Sequence, residues 1–452
     1  MITRKSALLA PVLLLTSLSA ATAAPLTAQN ILDQFNVVIF GNFTSNSDVE
    51  GRSAIGQTMT GGATFMNNPN NTAASTYGAL TVFGGVTGAG YYNLNNAGGL
   101  AVGGANAGNF NLNGGTYAYI AGNNTGGLSG NAAAMTIGGS NTANLSAGGA
   151  VFVGAANDGS INAGNNNGVT INGNNNIGGT NGSIQANNGV IVINGNTGNV
   201  SMSGGTLIYS GTQNGNVNLN GGALAIPAAS VNVTVPANPL GSFTNIFQTP
   251  LTTLSSTIAG LAPDGRSSAT YNAGNNTVTI NAVPDANGNA VLSLSTALFQ
   301  QNANVNVNLN GATSVMVNVT VAACPTSTCS YSFDSSVHFN NPTSYADSVV
   351  WNFPNATQLN FNTLFGGAVI APLAVVTNIT PIDGTLVAAS FVGSGELHSY
   401  AFTGTLPSAF LVTGANNVSE PSTLAVLGLG ILGLGMLRRT RAGSAAGMPM
   451  PV

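Results

Sequence analysis

Between Gly84 and Ala228 apolar residues recur in two alternating settings. One kind of short strand follows a small polar residue, as in NFNLN (109–113), ANLSA (143–147) and NVSMS (199–203). The other follows a glycine, often a pair, as in GGTYAYIAG (114–122), GGAVFVG (148–154) and GGTLIYSG (204–211). Successive glycine-led strands begin roughly 16 to 20 residues apart, and within each strand alternate residues are apolar, the period of a half-buried strand. Strands this short cannot bury a core alone, whereas stacking one coil on the next builds a continuous apolar column. Gly and Asn suit the corners because both tolerate positive φ, and Asn on adjacent coils can form amide ladders. The pattern predicts an all-β chain, a parallel β-helix or related β-solenoid. Composition alone would also allow a disordered Gly/Asn tract, but the regular Val/Ile/Leu/Tyr punctuation argues against it.

The strand pattern is interrupted between about 238 and 265. There Ile246, Phe247, Leu251, Leu254, Ile258 and Leu261 fall at helical spacing, and Pro263-Asp264-Gly265 stops the run. A short helical insertion over about 245–262 is expected to lie against the side or end of the solenoid. Strand patterns resume with NTVTINAV, NVNVNLN and TSVMVNVTV and run to GTLVAASF, so the domain is expected to span 24–404, with a linker at 405–417.

Charge changes the picture at both ends. Only 4% of the chain is charged. Arg4 and Lys5 precede a short apolar run and Ala21-Thr22-Ala23, which reads as a signal peptide over 1–23 cleaved after Ala23. Arg438, Arg439 and Arg441 follow another apolar run, about 423–437, which reads as a transmembrane helix, with a cytoplasmic tail at 443–452. That run is shorter than the roughly 20 residues a permanent span prefers, which suits a transient anchor. Between the ends only Arg52 and Arg266 remain as cations, so the exported body has no basic track for nucleic acid. Its solubility rests on amides and hydroxyls, Asn being about as frequent as the 61 glycines. Cys324 and Cys329, in CPTSTC, are too widely spaced for a redox motif; export favours a small disulfide loop over two free thiols.

Candidate chemistry is sparse. Asp48, Glu50 and Arg52 form the densest polar cluster, and alternate residues of a strand share a face, so a carboxylate–guanidinium ladder near one end of the solenoid is expected. An acid/base pair for glycoside cleavage is the alternative. His338 and His398 lack a nucleophile nearby. A calcium solenoid would repeat Asp in each coil, and only NDGS at 157–160 approaches that. No cofactor, no metal and no enzymatic activity are expected.

ILDQFNVVIFGNFTSNSDVEGRSAIG (31–56), TSVMVNVT (313–320), VVWNFPNATQLNF (349–361) and GGAVIAPLAVVTNITPIDGTLVAASFVGSGELHSYAF (366–402) resemble, in order, the blocks of the choice-of-anchor A domain. The resemblance implies an exported, adhesive, non-enzymatic domain. VSEPST followed by the apolar run and RRTR, 418–442, resembles a PEP-CTERM sorting signal, in which Ser419 replaces the usual first proline while Glu420 and Pro421 are kept. That resemblance implies an exosortase as partner, after export by the Sec machinery. The expected function is a cell-surface or matrix protein of a Gram-negative bacterium, transiently held in the inner membrane, with extracellular polysaccharide or host matrix as partner. An ice- or crystal-surface binder is the alternative, against which the threonines look scattered rather than aligned; a glycan-active enzyme ranks third.

Overall fold

The computed structural model describes residues 26–407, apart from 71, 97, 165, 176–182, 226–230, 232, 234–235, 323 and 325–327. The signal segment, the apolar run at 423–437, the basic tail and Ser419, Glu420, Pro421, Arg438, Arg439 and Arg441 lie outside the described residues. Among the described residues no helix is long and apolar enough to cross a membrane.

The described chain is an all-β parallel solenoid. A representative coil runs from Leu100–Val102, through a single bridging position at Asn106, to Asn109–Leu112, and the next coil repeats this at Tyr117–Ile120, Asn124 and Leu128–Gly130. Each coil thus contributes to three faces. Sheets of 20, nine, four and three strands result, because Ala368–Asn378 and Leu386–Gly393 turn a corner and merge two faces into the largest. The described strand pairs are parallel except the hairpin of Ser268–Asn272 with Thr277–Asn281. Inward aliphatic side chains, such as Val37, Ile39, Leu100 and Val102, form one continuous core.

Coil order in space is not coil order in sequence. The strand Val37–Ile39 pairs on one side with Ser53–Ile55 and on the other with Leu386–Ala388. The first coil therefore lies inside the stack, with the C-terminal coils on one flank and those running to Ala225 on the other. From Ala225 the chain must return along the stack. Asn194 exchanges two hydrogen bonds with the Val231 backbone (2.7 and 2.9 Å), Leu240 lies over Gly103, and Phe243 packs edge-on against Phe83, ring centroids 5.1 Å apart. The return ends in a π-helical turn, Thr244–Gln248, that continues directly into helix α2, Thr249–Ala259; helix α1 is Ala28–Gln34. The insertion expected over 245–262 is thus a helix over 244–259. Its apolar stripe, Phe247, Leu251, Leu254 and Ile258, is buried against Val38, Ala54, Val350, Ile370 and Val387, the outward residues of one solenoid face. Ser255 and Asn352 fasten this contact with two buried hydrogen bonds of 2.6 and 2.9 Å.

Asparagine serves two structural purposes. Of the described non-glycine residues with positive φ, all but Met66 are asparagines, because a short side chain that bonds locally tolerates the left-handed region. The second purpose is internal. Asn106, Asn124, Asn141, Asn157 and Asn175 point inward at one corner and are at most 1% exposed. Each of the first four donates its amide to the oxygen of the next at 2.8 Å and also to the carbonyl two residues on, as Asn124 does to Gly126. The ladder satisfies the first four of these buried amides, which would otherwise be costly. Cys324 and Cys329 are joined by a disulfide, with Cα atoms 4.6 Å apart.

Candidate functional site

Of the three faces, one is covered by the two helices and the returning segment. The second presents small side chains in register, uncharged over eight rungs and followed by Asp158 in the ninth. Thr377 pairs laterally with Val392, Val392 with Thr44, and Thr44 with Thr60. Bridges at Val86, Asn106, Asn124 and Asn141 extend the same column through Thr87, Ala107, Thr125 and Thr142. The threonines are thus aligned, contrary to the expectation from sequence. Six of these eight rungs carry threonine, and Val392 and Ala107 fill the other two, of similar or smaller size. The alignment is invisible along the chain because the column passes from residue 392 directly to residue 44. These side chains are half-buried or exposed, and adjacent rungs of a parallel sheet lie about 4.8 Å apart.

The third face is lined by amides and hydroxyls. Its central column reads Asn93, Asn111, Ser129, Ser146, Asn162, Gln185, Ser201 and Asn218 in consecutive rungs. Asn113 donates to Asn95 at 2.9 Å and Asn111 to Asn93 at 3.4 Å, so these amides partly satisfy one another along the axis.

Where the third face crosses the junction of first and last coils, the charged residues gather. Val49 bridges Leu397, which places Asp48 beside Glu396 and Glu50 beside His398. Asp383 is the next rung after His398. His398 bonds Asp383 through Nδ1 at 2.6 Å and Glu396 through Nε2 at 2.9 Å. Glu50 accepts from the Ser399 backbone at 2.8 Å, and Asp48 from Asn67 at 3.1 Å. Asp48 and Glu50 therefore share a face, but inside the stack rather than near its end. Arg52 has left that face: it donates to the carbonyls of Gln34 (2.8 Å) and Tyr77 (3.1 Å) and lies over the Phe35 ring. Among the described ion pairs, none joins it to either carboxylate. The cation that sequence reasoning missed is His398, distant in sequence and brought there by closure of the stack. No described group of three or more His, Cys, Asp or Glu side chains could hold a metal ion.

The Asp383 hydrogen bond, against some loss from burial and with help from Glu396 and the Glu50 charge, pushes His398 up to about 9 from an ordinary 6.5. A raised value means the charged imidazole stabilises the fold fully below about pH 6.5, and that contribution is lost as pH climbs through about 9. Lys5 is the chain's one lysine, and the ten tyrosines ionise from about pH 10 upward when free, so His398 dominates the window below pH 9. The melting temperature is expected to fall between pH 7 and pH 9, and His398→Gln is expected to flatten that fall. A wild-type melting temperature constant across this range would refute the assignment.

Comparison with known proteins places these faces in context. A family described as "Putative Ice-binding-like adhesive domain" matches residues 28–119 and 142–399, and the PEP-CTERM protein-sorting motif matches residues 417–439. No curated protein matches the chain. An ice-binding protein from an Antarctic bacterium of the Flavobacteriaceae is similar at 13% identity and a TM-score of 0.24, over 85% of this chain and 100% of that one. The tapirin C-terminal domain of Caldicellulosiruptor kristjanssonii is similar at 12% identity and a TM-score of 0.20, over 85% of this chain and 96% of that one.

Proposed function

The chain belongs to the ice-binding-like adhesive domain family and carries a PEP-CTERM motif, and from that premise we propose how this exported surface protein attaches. Its threonine face docks onto a repetitive, uncharged solid, the ordered water at an ice surface. The observation that carries this reading is the in-register column from Thr377 to Thr142. Each threonine offers a hydroxyl that bonds water and a methyl group that excludes it, and the backbone ladder fixes their repeat. A soluble small ligand needs no such repetition; a lattice does. The domain works by binding and not by catalysis.

Sorting follows from the termini. Sec exports the chain, the signal peptide is removed after Ala23, and the apolar run halts in the inner membrane with Arg438, Arg439 and Arg441 inside. An exosortase then acts at Ser419-Glu420-Pro421 and releases the anchor, leaving the body, 24–404, and its linker at the surface of a Gram-negative cell. A second reading, attachment to extracellular polysaccharide or host matrix, is favoured by the amide face. The test is an ice-recrystallisation assay on the mature chain. Inhibition at micromolar concentration is expected, and growth of ice grains indistinguishable from an albumin control would sink the proposal.

A further inference from the structure

We propose that the amide face carries a binding site for an uncharged polysaccharide centred on Tyr91. This deepens the second reading above and is independent of the threonine face. Tyr91 is 79% exposed, more than any other described large apolar side chain. It contributes no buried packing to the solenoid, yet it stands on a rigid strand, Tyr91–Leu94, paired on both sides. On one side its backbone lies against Gly62, which has no side chain to cover the ring. On the other side is Asn109, whose amide is already engaged with the Ala89 carbonyl (3.2 Å) and the Gly127 N–H (2.9 Å) and so acts as scaffold.

The polar contacts come from the central column. Asn93 lies two residues along the strand from Tyr91, on the same face, and Asn111 is the next rung. Their mutual bond at 3.4 Å uses one donor and one acceptor; the remaining amide capacity faces outward. An exposed aromatic ring beside aligned amides matches a pyranose, whose C–H face stacks on the ring while its rim hydroxyls exchange hydrogen bonds with amides. Charge favours a neutral polymer. No ionisable side chain occupies the central column from Asn93 to Asn218, and the carboxylates at the junction of first and last coils would repel an acidic glycan. The continuing column gives a chain of sugars further contacts along the axis.

Affinity electrophoresis of the mature chain tests this, with hydroxyethylcellulose or dextran in the gel and alginate as the anionic control. Retardation by at least one neutral polymer is expected. Tyr91→Ala should weaken it tenfold or more with an unchanged circular dichroism spectrum, whereas Tyr91→Phe should retain it. Thr60→Lys, on the threonine face, should leave it unaltered. Equal retardation of Tyr91→Ala overturns the site while leaving a polysaccharide partner possible elsewhere on the body. No retardation by either neutral polymer, or stronger retardation by alginate, overturns both.

Discussion

Replacing Asn141 with leucine is expected to destabilise the solenoid by about 3 kcal/mol, because a buried donor and a buried acceptor lose their partners together. Asn141 is fully buried. Its oxygen accepts from Asn124, and its amide donates to Asn157 and to the Ala143 carbonyl, at 2.8, 2.8 and 2.9 Å. Leucine keeps the branched four-atom skeleton of asparagine but its methyl groups are bulkier than the amide, so overpacking adds to the lost polar satisfaction. The neighbours above and below are held at their rungs by strand pairing and cannot move to water. The matched control is Asn111→Leu on the amide face, expected within about 0.5 kcal/mol of wild type. Urea unfolding followed by circular dichroism compares the two, and equal midpoints would mean that the inner ladder is incidental.

The second large effect falls on binding. Thr60→Lys places a strongly hydrated ammonium in the middle of the threonine column, between Thr44 and Thr87. A lattice is met by all rungs at once, so one protruding charge lifts its neighbours away. Ice-recrystallisation inhibition is expected to fall at least tenfold with no change in melting temperature, since Thr60 is only half-buried. Thr60→Val, which keeps the shape and one methyl group, should lose far less. Full activity in Thr60→Lys would show that the column is not the contact surface.

Much of this was legible in sequence, for a physical reason. Period-two apolar patterns and glycine-led corners report each strand's own environment, so NFNLN and GGTYAYIAG announce their coils unaided. The spacing of Phe247, Leu251, Leu254 and Ile258 likewise announces a helix. What stays hidden is which coil lies beside which. Asp48 and Glu50 were recognisable as a cluster, but His398, bonded to Asp383 and Glu396 beside them, arrives only when the last coil closes on the first; Arg52, nearest in sequence, turns instead to backbone carbonyls. The threonine column is hidden for the same reason. The buried and exposed asparagines also look alike in sequence, since Asn141 and Asn111 differ only in the direction each side chain takes at its own coil.

The interior position of Val37–Ile39 bears on how the protein matures. Export delivers the chain amino end first, and the coils from residue 37 to residue 225 can stack as they emerge. Throughout that interval the strand Val37–Ile39 has one flank unpaired, a bare edge of the kind that invites pairing with other chains. Its remaining partner, Leu386–Ala388, arrives about 350 residues later, a closure of long sequence separation and therefore slow. Folding is thus completed only when nearly the whole body has crossed the membrane. The sorting motif at 417–439 follows within a few dozen residues of that strand, so the step that seals the edge comes just before the motif emerges.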